Sequence, residues 1–321
     1  MRRSIEAPDR ADASKLKMKW VLSGGTGFIG RRLTALLVED GDEVVVLSRR
    51  ASAPGETGPR LVAWEPGRMG DWSKELDGAG AVVNLAGAGV MDERWTEQRL
   101  ALLRSSRVET TRVLADAIAH AHPAPGVLVS ASAIGIYGMR MDDDELGEDG
   151  GQGSDVLASI CQAWERAADP ARAAGVRVVH PRIGIVLGAS GGALERMLPA
   201  FKAFVGGPIG TGRQWFSWIH IDDVVGAMRF AAGASELSGA FNAVAPHPVR
   251  MKEFAGVLGQ VLRRPARLRV PGFALRAMLG EGAQALLTGQ RVRPRMLEQH
   301  GYRFRFPELR GALENVLGRG R

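Results

Sequence analysis

Proton transfer to or from a substrate needs side chains that can exchange a proton, and two stretches of this sequence carry them beside strand-like runs. "SASAIGIYG" contains Ser132 and Tyr137, and "WFSWIHIDD" contains His220. A serine hydroxyl can polarise a substrate oxygen, and a phenol or an imidazole can exchange a proton with it. We therefore take Ser132, with the neighbouring Ser130 as its alternative, Tyr137 and His220 as candidate catalytic residues. The structural alternatives are a packed Tyr137 with its hydroxyl bonded and a satisfied His220 on a strand.

A glycine-rich stretch could hold a phosphate. "VLSGGTGFIGRRLTALL" places Gly24, Gly27 and Gly30 directly after a strand-like run and into a helical pattern. Such glycines permit a tight turn, a close backbone approach to a pyrophosphate and helix-on-strand packing, while the helix N-terminus offers free N–H groups. The alternative is a purely structural turn. The pattern predicts dinucleotide contacts from Gly24, Gly25, Thr26, Gly27, Phe28, Ile29 and Gly30.

The second strand-like run, "EVVVL", is followed by Ser48, Arg49 and Arg50. A site selective for NAD usually presents Asp or Glu at this place to the ribose 2′-hydroxyl. Arg49 can instead make a charge-assisted contact with a 2′-phosphate, and the Ser48 hydroxyl can add another. The residues therefore predict NADP(H) as the cofactor, with surface charge as the alternative reading of the arginines.

A further strand-like run ends in "NLAG". This end lies at the carboxyl edge of the predicted sheet, and an open α/β sheet binds its ligand at that edge. Leu85, Ala86 and Gly87 are small or apolar there, so the chain can pass close to the cofactor. The alternative is an ordinary strand end.

Residues after the midpoint of the chain are candidates for the substrate. Arg213 and Gln214 end the glycine-rich "GGPIGTGRQ" and could contact a polar or anionic small molecule. Strand alternation places Trp218 on the same face as His220. No His, Cys, Asp or Glu spacing suggests a metal, so no metal site is expected.

The elements that must position these residues alternate between apolar strand-like runs and helical patterns. This alternation predicts an α/β fold, a Rossmann-type doubly wound parallel sheet with a smaller, mostly helical C-terminal lobe. We expect a disordered extension at 1–17, the nucleotide-binding domain with parts of the substrate lobe at 18–247, and a small C-terminal domain at 248–317.

Composition narrows the function classes. The net charge is +7, and the segment from Arg263 to Arg310 holds eleven arginines. We expect solvated surface with local pairing there, and no nucleic-acid partner, because no recognition motif accompanies the charge. No apolar run is long enough to span a membrane, so no membrane partner is expected. The lone Cys161 fits a reducing compartment, and a cytoplasmic location is expected. The oligomeric state stays open.

Together, "GGTGFIG", "NLAG", "SASAIGIYG", "PRIGIVLG" and "GPIGTGRQWFSWIHIDD" resemble the extended short-chain dehydrogenase/reductases, in their atypical epimerase-like branch. The tail, with "GYRFRFPELRGAL", resembles the small C-terminal domain of that branch. The resemblance covers Met18 to Leu317. It implies a Rossmann-type domain that binds NADP(H), with an added contact from Arg107, whose alternative is an exposed helical arginine.

Typical relatives use a Tyr-x-x-x-Lys pair, in which the lysine lowers the pKa of the tyrosine. In "LASICQAWE", Glu165 matches an acid that follows the lysine by four residues in related enzymes, which puts Leu157 and Cys161 at the tyrosine and lysine positions. Neither can replace the pair. The sequence hypothesis is thus hydride transfer to or from an unknown small polar substrate with a non-standard proton donor. The alternatives are a sugar-nucleotide epimerase or dehydratase, and a regulatory protein that binds NADP(H) without turnover.

Overall fold

The computed structural model describes residues 17–52 and 58–319; residues 1–16 of the predicted extension lie outside this range. The strands are β1 (Lys19–Ser23), β2 (Glu43–Ser48), β3 (Arg60–Ala63), β4 (Ala81–Asn84), β5 (Val127–Ser130), β6 (Ser132–Ala133), β7 (Glu145–Leu146), β8 (Arg177–Ile183), β9 (Ile185–Leu187), β10 (Trp215–Phe216), β11 (Trp218–His220), β12 (Gly239–Ala243), β13 (Val249–Arg250) and β14 (Arg291–Val292). The helices are α1 (Phe28–Glu39), α2 (Glu97–Ala119), α3 (Val156–Arg166), α4 (Asp169–Ala173), α5 (Gly192–Lys202), α6 (Ile221–Gly233), α7 (Met251–Leu262), α8 (Gly272–Leu279), α9 (Gln284–Leu287), α10 (Arg295–Gln299) and α11 (Leu309–Val316). Short 3₁₀ helices lie at Asp71–Leu76, Ile134–Tyr137 and Gly280–Ala283.

The main sheet runs in the order β12, β8, β5, β4, β1, β2, β3, with β6 paired to β8. Every pair in it is parallel. The chain moves outward from β1 to β3 and then returns to β4 on the other side, so the carboxyl ends of β1 and β4 flank the point where the strand order reverses. An open α/β sheet binds its ligand at such a point. The predicted Rossmann-type fold class is confirmed.

Alternation along the strands explains why both faces of the sheet are covered. Trp20 and Leu22 of β1 face a core that includes Leu33 of α1, whereas Val21 between them faces a core that includes Leu114 of α2. Successive side chains of a strand point to opposite faces, so continuous apolar runs such as "WVL" and "EVVVL" need a layer on each side.

The C-terminal part builds a third core with the segment that follows β8. Phe216 of β10 and Phe254 of α7 meet with ring centroids 4.1 Å apart, and Leu198 of α5 and Leu313 of α11 belong to the same cluster. The helical nature of this region agrees with the sequence prediction. The boundary between residues 247 and 248 stays a prediction. Among the described residues, no helix is long and apolar enough to cross a membrane.

Candidate functional site

The glycine loop after β1 presses against the chain that follows β4. Gly24 has φ +72°, and a Cβ atom there would lie 2.6 Å from the carbonyl carbon of Leu85. The N–H of Leu85 donates to the carbonyl of Ser23 at 3.0 Å, which ties the two strand ends together. Only glycine combines this backbone conformation with this contact. The structure thus brings the predicted Gly24 loop and the predicted Leu85–Gly87 segment side by side.

Helix α1 begins without any of the usual N-terminal partners. Gly27 is the N-cap residue, no side chain caps the first turn, and no acid lies in it. Gly30 fits because a Cβ there would overlap the carbonyl oxygen of Gly24 and lie 2.7 Å from the Cα of Gly25. An uncapped helix N-terminus leaves N–H donors and a positive dipole end free for an anion. The loop therefore fits a pyrophosphate.

The end of β2 lies beside this loop, since β1 and β2 are paired in the sheet. Ser48 is its last residue, and the Ser48 Oγ accepts the backbone N–H of Arg50 at 3.3 Å. Arg49 is exposed and lines a cavity of about 1120 Å³ beside β3. No acid stands between residues 48 and 52. The residues present fit a cofactor that carries a 2′-phosphate better than one that carries a free 2′-hydroxyl.

Arg107 reaches from α2 to the segment after β4. It donates from Nη2 to the carbonyl of Ala88 at 2.9 Å, and a Cβ on Gly87 would lie 3.3 Å from its guanidinium carbon. The same guanidinium lies 5.2 Å from the ring centroid of Trp164 on α3. Burial lowers the pKa of Arg107, and no carboxylate pairs with it among the described residues. A partly buried cation that contacts only carbonyls and a ring is well suited to an anionic ligand.

The two positions of the missing pair face the same glycine, and the lysine position lies close to Arg107. Leu157 and Cys161 both face Gly135. A Cβ atom at Gly135 would lie 3.8 Å from the Leu157 Cβ and 3.8 Å from the Cys161 Sγ. Burial raises the pKa of Cys161 to about 12, although the nearby Arg107 charge opposes this. The thiol is therefore neutral at physiological pH. The positive charge that a lysine would bring at position 161 is supplied in this region by the neighbouring helix.

Ser132 belongs to a buried polar network. Its hydroxyl donates to Glu165 Oε1 at 2.7 Å, and Glu165 also accepts from Arg182 Nε at 2.9 Å and Nη2 at 3.1 Å. Burial opposes ionisation of Glu165, but the hydrogen bonds and charge of Arg182 and the bond from Ser132 hold its pKa below the usual value. Ser132 thus keeps acceptor capacity on its oxygen, while its proton points to an ionised carboxylate.

Tyr137 lies on the other side of Arg182 in the same network. Its hydroxyl donates to Asn242 Oδ1 at 2.7 Å and accepts from Arg182 Nη1 at 3.0 Å. Tyr137 is 1% exposed, and burial raises the pKa of its phenol. These contacts favour the packed alternative over a proton donor. The catalytic role of Tyr137 stays a prediction that the geometry does not favour.

His220 lies apart from that network, between β11 and α6. Its Nδ1 accepts the N–H of Asp222 at 3.0 Å as an N-cap, its Nε2 lies 3.1 Å from Asn315 Oδ1, and its ring lies 3.9 Å from that of Phe306. Burial lowers the pKa of His220, so the ring is neutral. Both nitrogens already have partners, and the structure favours the structural alternative for this residue.

The predicted substrate residues separate from one another. Trp218 is fully buried and donates from Nε1 to the carbonyl of His247 at 3.1 Å. Gln214 is buried as well, and its Nε2 donates to the carbonyls of Ile209 and Leu286. Of this group, only Arg213 is exposed. Trp218 and Gln214 hold chain segments together, because the N–H donors of both side chains are hydrogen-bonded to backbone carbonyls. A substrate role for either residue is therefore not favoured.

Two further residues, Arg182 and Asn242, were not predicted for the site. Both are buried, and Arg182 joins Ser132 to Tyr137 through the contacts above. The available signal was the arginine in "PRIGIVLG", a cation followed directly by an apolar strand-like run. A charge in such a place needs a buried partner, which the sequence by itself does not identify. In the described ranges, no three His, Cys, Asp or Glu side chains come together as a metal site requires.

Comparison with known proteins gives two family matches. Residues 20–243 match the model of the NAD dependent epimerase/dehydratase family, and residues 270–316 match a domain of unknown function, DUF1731. A curated relative from Arabidopsis thaliana, the chloroplastic homolog of the epimerase family protein SDR39U1, is 41% identical over 303 residues, which cover 92% of this chain and 86% of the relative.

Two solved structures are also similar to this chain. The human epimerase family protein SDR39U1, crystallised with NADPH, has a TM-score of 0.84 at 36% identity, and the match covers 94% of this chain and 99% of that one. A nucleoside-diphosphate sugar epimerase from Corynebacterium glutamicum has a TM-score of 0.76 at 34% identity and covers 94% of this chain and 59% of its own.

Proposed function

Because the chain belongs to the NAD dependent epimerase/dehydratase family, we propose that it binds NADP(H) and exchanges a hydride with a small polar substrate. The observation that carries the proposal is the uncapped start of α1 behind the Gly24 loop, with Arg49 where an acid would select NAD. The human relative crystallised with NADPH supports the same cofactor.

Four groups of residues hold the cofactor in this proposal. The α1 N-terminus and its glycine loop bind the pyrophosphate, Ser48 and Arg49 bind the 2′-phosphate, Leu85–Gly87 pass beside the dinucleotide, and Arg107 adds a cation. NADP(H), when bound, supplies or accepts the hydride. Arg107 suits this role because its guanidinium lies against Gly87 and pairs with no carboxylate in the described part of the chain.

Ser132 and Glu165 form the proton route that we propose. Because the Ser132 hydroxyl already donates to Glu165, its oxygen can accept a hydrogen bond from a substrate alcohol. As the alcohol proton moves to Ser132 Oγ, the serine proton passes to Glu165 Oε1, and Arg182 keeps that carboxylate in place. The ionised state of Glu165 supports alcohol oxidation. Carbonyl reduction uses the same route in reverse from protonated Glu165.

The cofactor is tested by titrating NADPH and NADH into the wild type, Arg49→Ala and the control Arg303→Ala, with the quenching of protein fluorescence as the signal. A lost hydrogen bond to a charged group predicts that Arg49→Ala lowers the preference for NADPH by about ten- to a hundredfold. Arg303 is also exposed, on a different surface, and its variant should keep the ratio. An unchanged ratio in Arg49→Ala would overturn the NADP(H) assignment.

Turnover is then followed as the change in absorbance of the reduced nicotinamide, against a panel of alcohols and carbonyl compounds. Two other functions give different results. A sugar-nucleotide epimerase, suggested by the Corynebacterium neighbour, would convert a nucleoside-diphosphate sugar without net oxidation of the cofactor. A regulatory protein would bind NADPH tightly and show no turnover. A partner protein would co-purify with it only when the cofactor is present. The absent Tyr-x-x-x-Lys pair favours this last candidate.

We also propose a cytoplasmic location, supported by the lone cysteine, which is buried and free. Fractionation of cells that express the full chain tests this location, and recovery from the secreted fraction would contradict it.

A further inference from the structure

Ten of the eleven arginines from Arg263 to Arg310 fall into two sets, and the exposed Arg303 belongs to neither. The first set is paired with acids. Arg291, Arg293 and Arg295 all reach Glu145, with N···O distances between 3.4 and 3.8 Å. Farther along the chain, Arg305 reaches Asp222 and Arg310 reaches Glu314. Local pairing, as expected from the sequence, describes this set.

The second set lacks ion pairs with acids of the described residues. Arg263, Arg264, Arg267, Arg269 and Arg276 are exposed, and none of them makes an ion pair with a described residue. The chain has no Asp or Glu between Glu253 and Glu281. Exposed arginines with no acid between them in the sequence give this segment a positive charge, which an anionic surface would attract.

Large apolar side chains protrude among these arginines. Phe204 is 56% exposed, Leu268 55%, Phe273 75% and Met278 72%. Phe204 also has φ +65°, a left-handed conformation that disfavours any residue with a side chain. Exposed apolar residues are ordinary when scattered, but a group of them on one surface marks an interaction site.

Two chain segments that carry these residues run side by side. The N–H of Val270 donates to the carbonyl of Pro208 at 3.1 Å, and that of Gly210 donates to the carbonyl of Val270 at 2.9 Å. Arg264 lies 4.4 Å from the ring centroid of Phe204. Helix α8 begins two residues after Val270 and carries Phe273, Arg276 and Met278. We call residues 204–205 together with 263–278 the arginine–apolar face.

We propose that the arginine–apolar face docks on the surface of anionic phospholipid bilayers. The arginines contact lipid phosphates, and the apolar side chains enter the boundary between headgroups and acyl chains. This is attachment to a surface and needs no membrane-spanning helix. It goes beyond the proposed function, since none of these residues belongs to the NADP(H) site.

The composition of the face favours lipid over the other anionic surfaces. A nucleic acid would gain from a series of stacked aromatic rings, but only two of the protruding side chains on this face, Phe204 and Phe273, are aromatic, and the Phe204 ring already lies against Arg264. An acidic protein would match the arginines and leave Phe273 and Met278 without an apolar partner. A bilayer surface offers phosphates and apolar chains together, which is the combination that this face presents.

The test is co-sedimentation of the full chain with vesicles of phosphatidylcholine alone or mixed with phosphatidylglycerol, at low salt. We expect partitioning only onto the mixed vesicles, and release at high salt. Arg267→Glu with Arg269→Glu should lower the partition coefficient about 25-fold or more, because each basic residue near such a surface contributes about fivefold. Phe273→Ser with Met278→Ser should lower it by about tenfold or more.

Matched controls change the same residue types elsewhere. Arg112→Glu with Arg303→Glu alters two exposed arginines outside the face, and Leu102→Ser with Met141→Ser alters two exposed apolar side chains outside it. Both controls should bind vesicles within about twofold of the wild type, and all variants should keep their NADPH affinity. A wild type that stays in the supernatant overturns the proposal. So does equal loss in the controls, or self-association through the face without vesicle binding, measured by analytical ultracentrifugation.

Discussion

Ser130 and Ser132 are two residues apart, yet their hydroxyls have different surroundings. Both are buried at the carboxyl end of the sheet. Ser132 donates to Glu165, whereas the Ser130 Oγ has no hydrogen-bond partner among the described residues. A proton route needs a donor and an acceptor in contact, so only Ser132 qualifies. Ser130 is therefore the matched control for any test of Ser132.

We expect Ser132→Ala to lower kcat by about a hundredfold or more, since a positioned proton-transfer group contributes about that much. NADPH affinity should be unchanged in this variant. Ser130→Ala should keep kcat within about threefold, because it removes no contact. Steady-state kinetics on a substrate found in the panel measures both. Equal kcat in Ser132→Ala and the wild type would contradict the proton route.

For Tyr137 we expect the opposite result. Its hydroxyl joins Arg182 and Asn242, both buried, so its loss should lower stability rather than turnover. In Tyr137→Phe, a large loss of kcat without loss of stability would return this residue to the catalytic set and count against the Ser132 route.

Helix α6 depends on a titratable cap. His220 accepts the N–H of Asp222, and only the neutral ring can do so through Nδ1. Its surroundings include Asp222, which favours the charged ring, and Arg32 and Arg305, which oppose it, but burial has the largest effect and lowers its pKa. The start of α6 is thus held by a group that must stay unprotonated.

This arrangement predicts a pH dependence of stability. With the folded pKa of His220 lowered, the unfolded chain binds the extra proton first, so stability is present above the unfolded pKa of about 6.5 and is lost as pH falls below it. His180 is also buried with a lowered pKa and acts in the same direction.

His220→Asn isolates the contribution of His220, because Asn also caps helices well but does not titrate. Urea unfolding between about pH 7 and pH 5 should show a shallower loss of unfolding free energy in the variant than in the wild type. Parallel curves for the two proteins would contradict the capping argument.

For the whole molecule, an acidic loop links the nucleotide-binding part to the C-terminal part. Strand β7 pairs with β14, and Glu145 lies opposite Arg291 in that register. Glu145 also reaches Arg293 and Arg295, while Asp143 accepts from Trp215 Nε1 at 3.0 Å. One carboxylate shared by three guanidinium groups offsets their mutual repulsion. The "MDDDELGEDGG" loop therefore works as a charged clasp between distant parts of the chain.

We expect Glu145→Gln to lower the free energy of unfolding by about 1 kcal/mol at low salt, because the partly exposed pairs are lost and the arginines repel. The effect should shrink in about 1 M salt, where charges are screened within about 3 Å. Asp71→Asn removes an exposed pair with Lys74 and should change little at either salt concentration. Denaturant unfolding measures all three proteins. A salt-independent loss in Glu145→Gln would contradict the electrostatic clasp.

The glycine loop of the candidate site was predictable from the sequence because its signals are local. A glycine turn between a strand and a helix depends on residues close together in the chain, and the loop from Gly24 to Gly30 formed as predicted. Apolar runs separated by helical patterns likewise predict a doubly wound sheet, since each strand must be covered on both faces. The absence of Tyr-x-x-x-Lys is also a property of the sequence alone.

The partners of the buried polar groups were decided only by the tertiary structure. Tyr137 and Asn242 are 105 residues apart, and Ser132 and Glu165 are 33 apart, yet each pair is hydrogen-bonded at 2.7 Å. No period or spacing in the chain encodes such contacts. A buried hydroxyl acts on a substrate or stays within the protein according to which group the fold brings within hydrogen-bonding distance, and that distance exists only once the sheet and helices have packed.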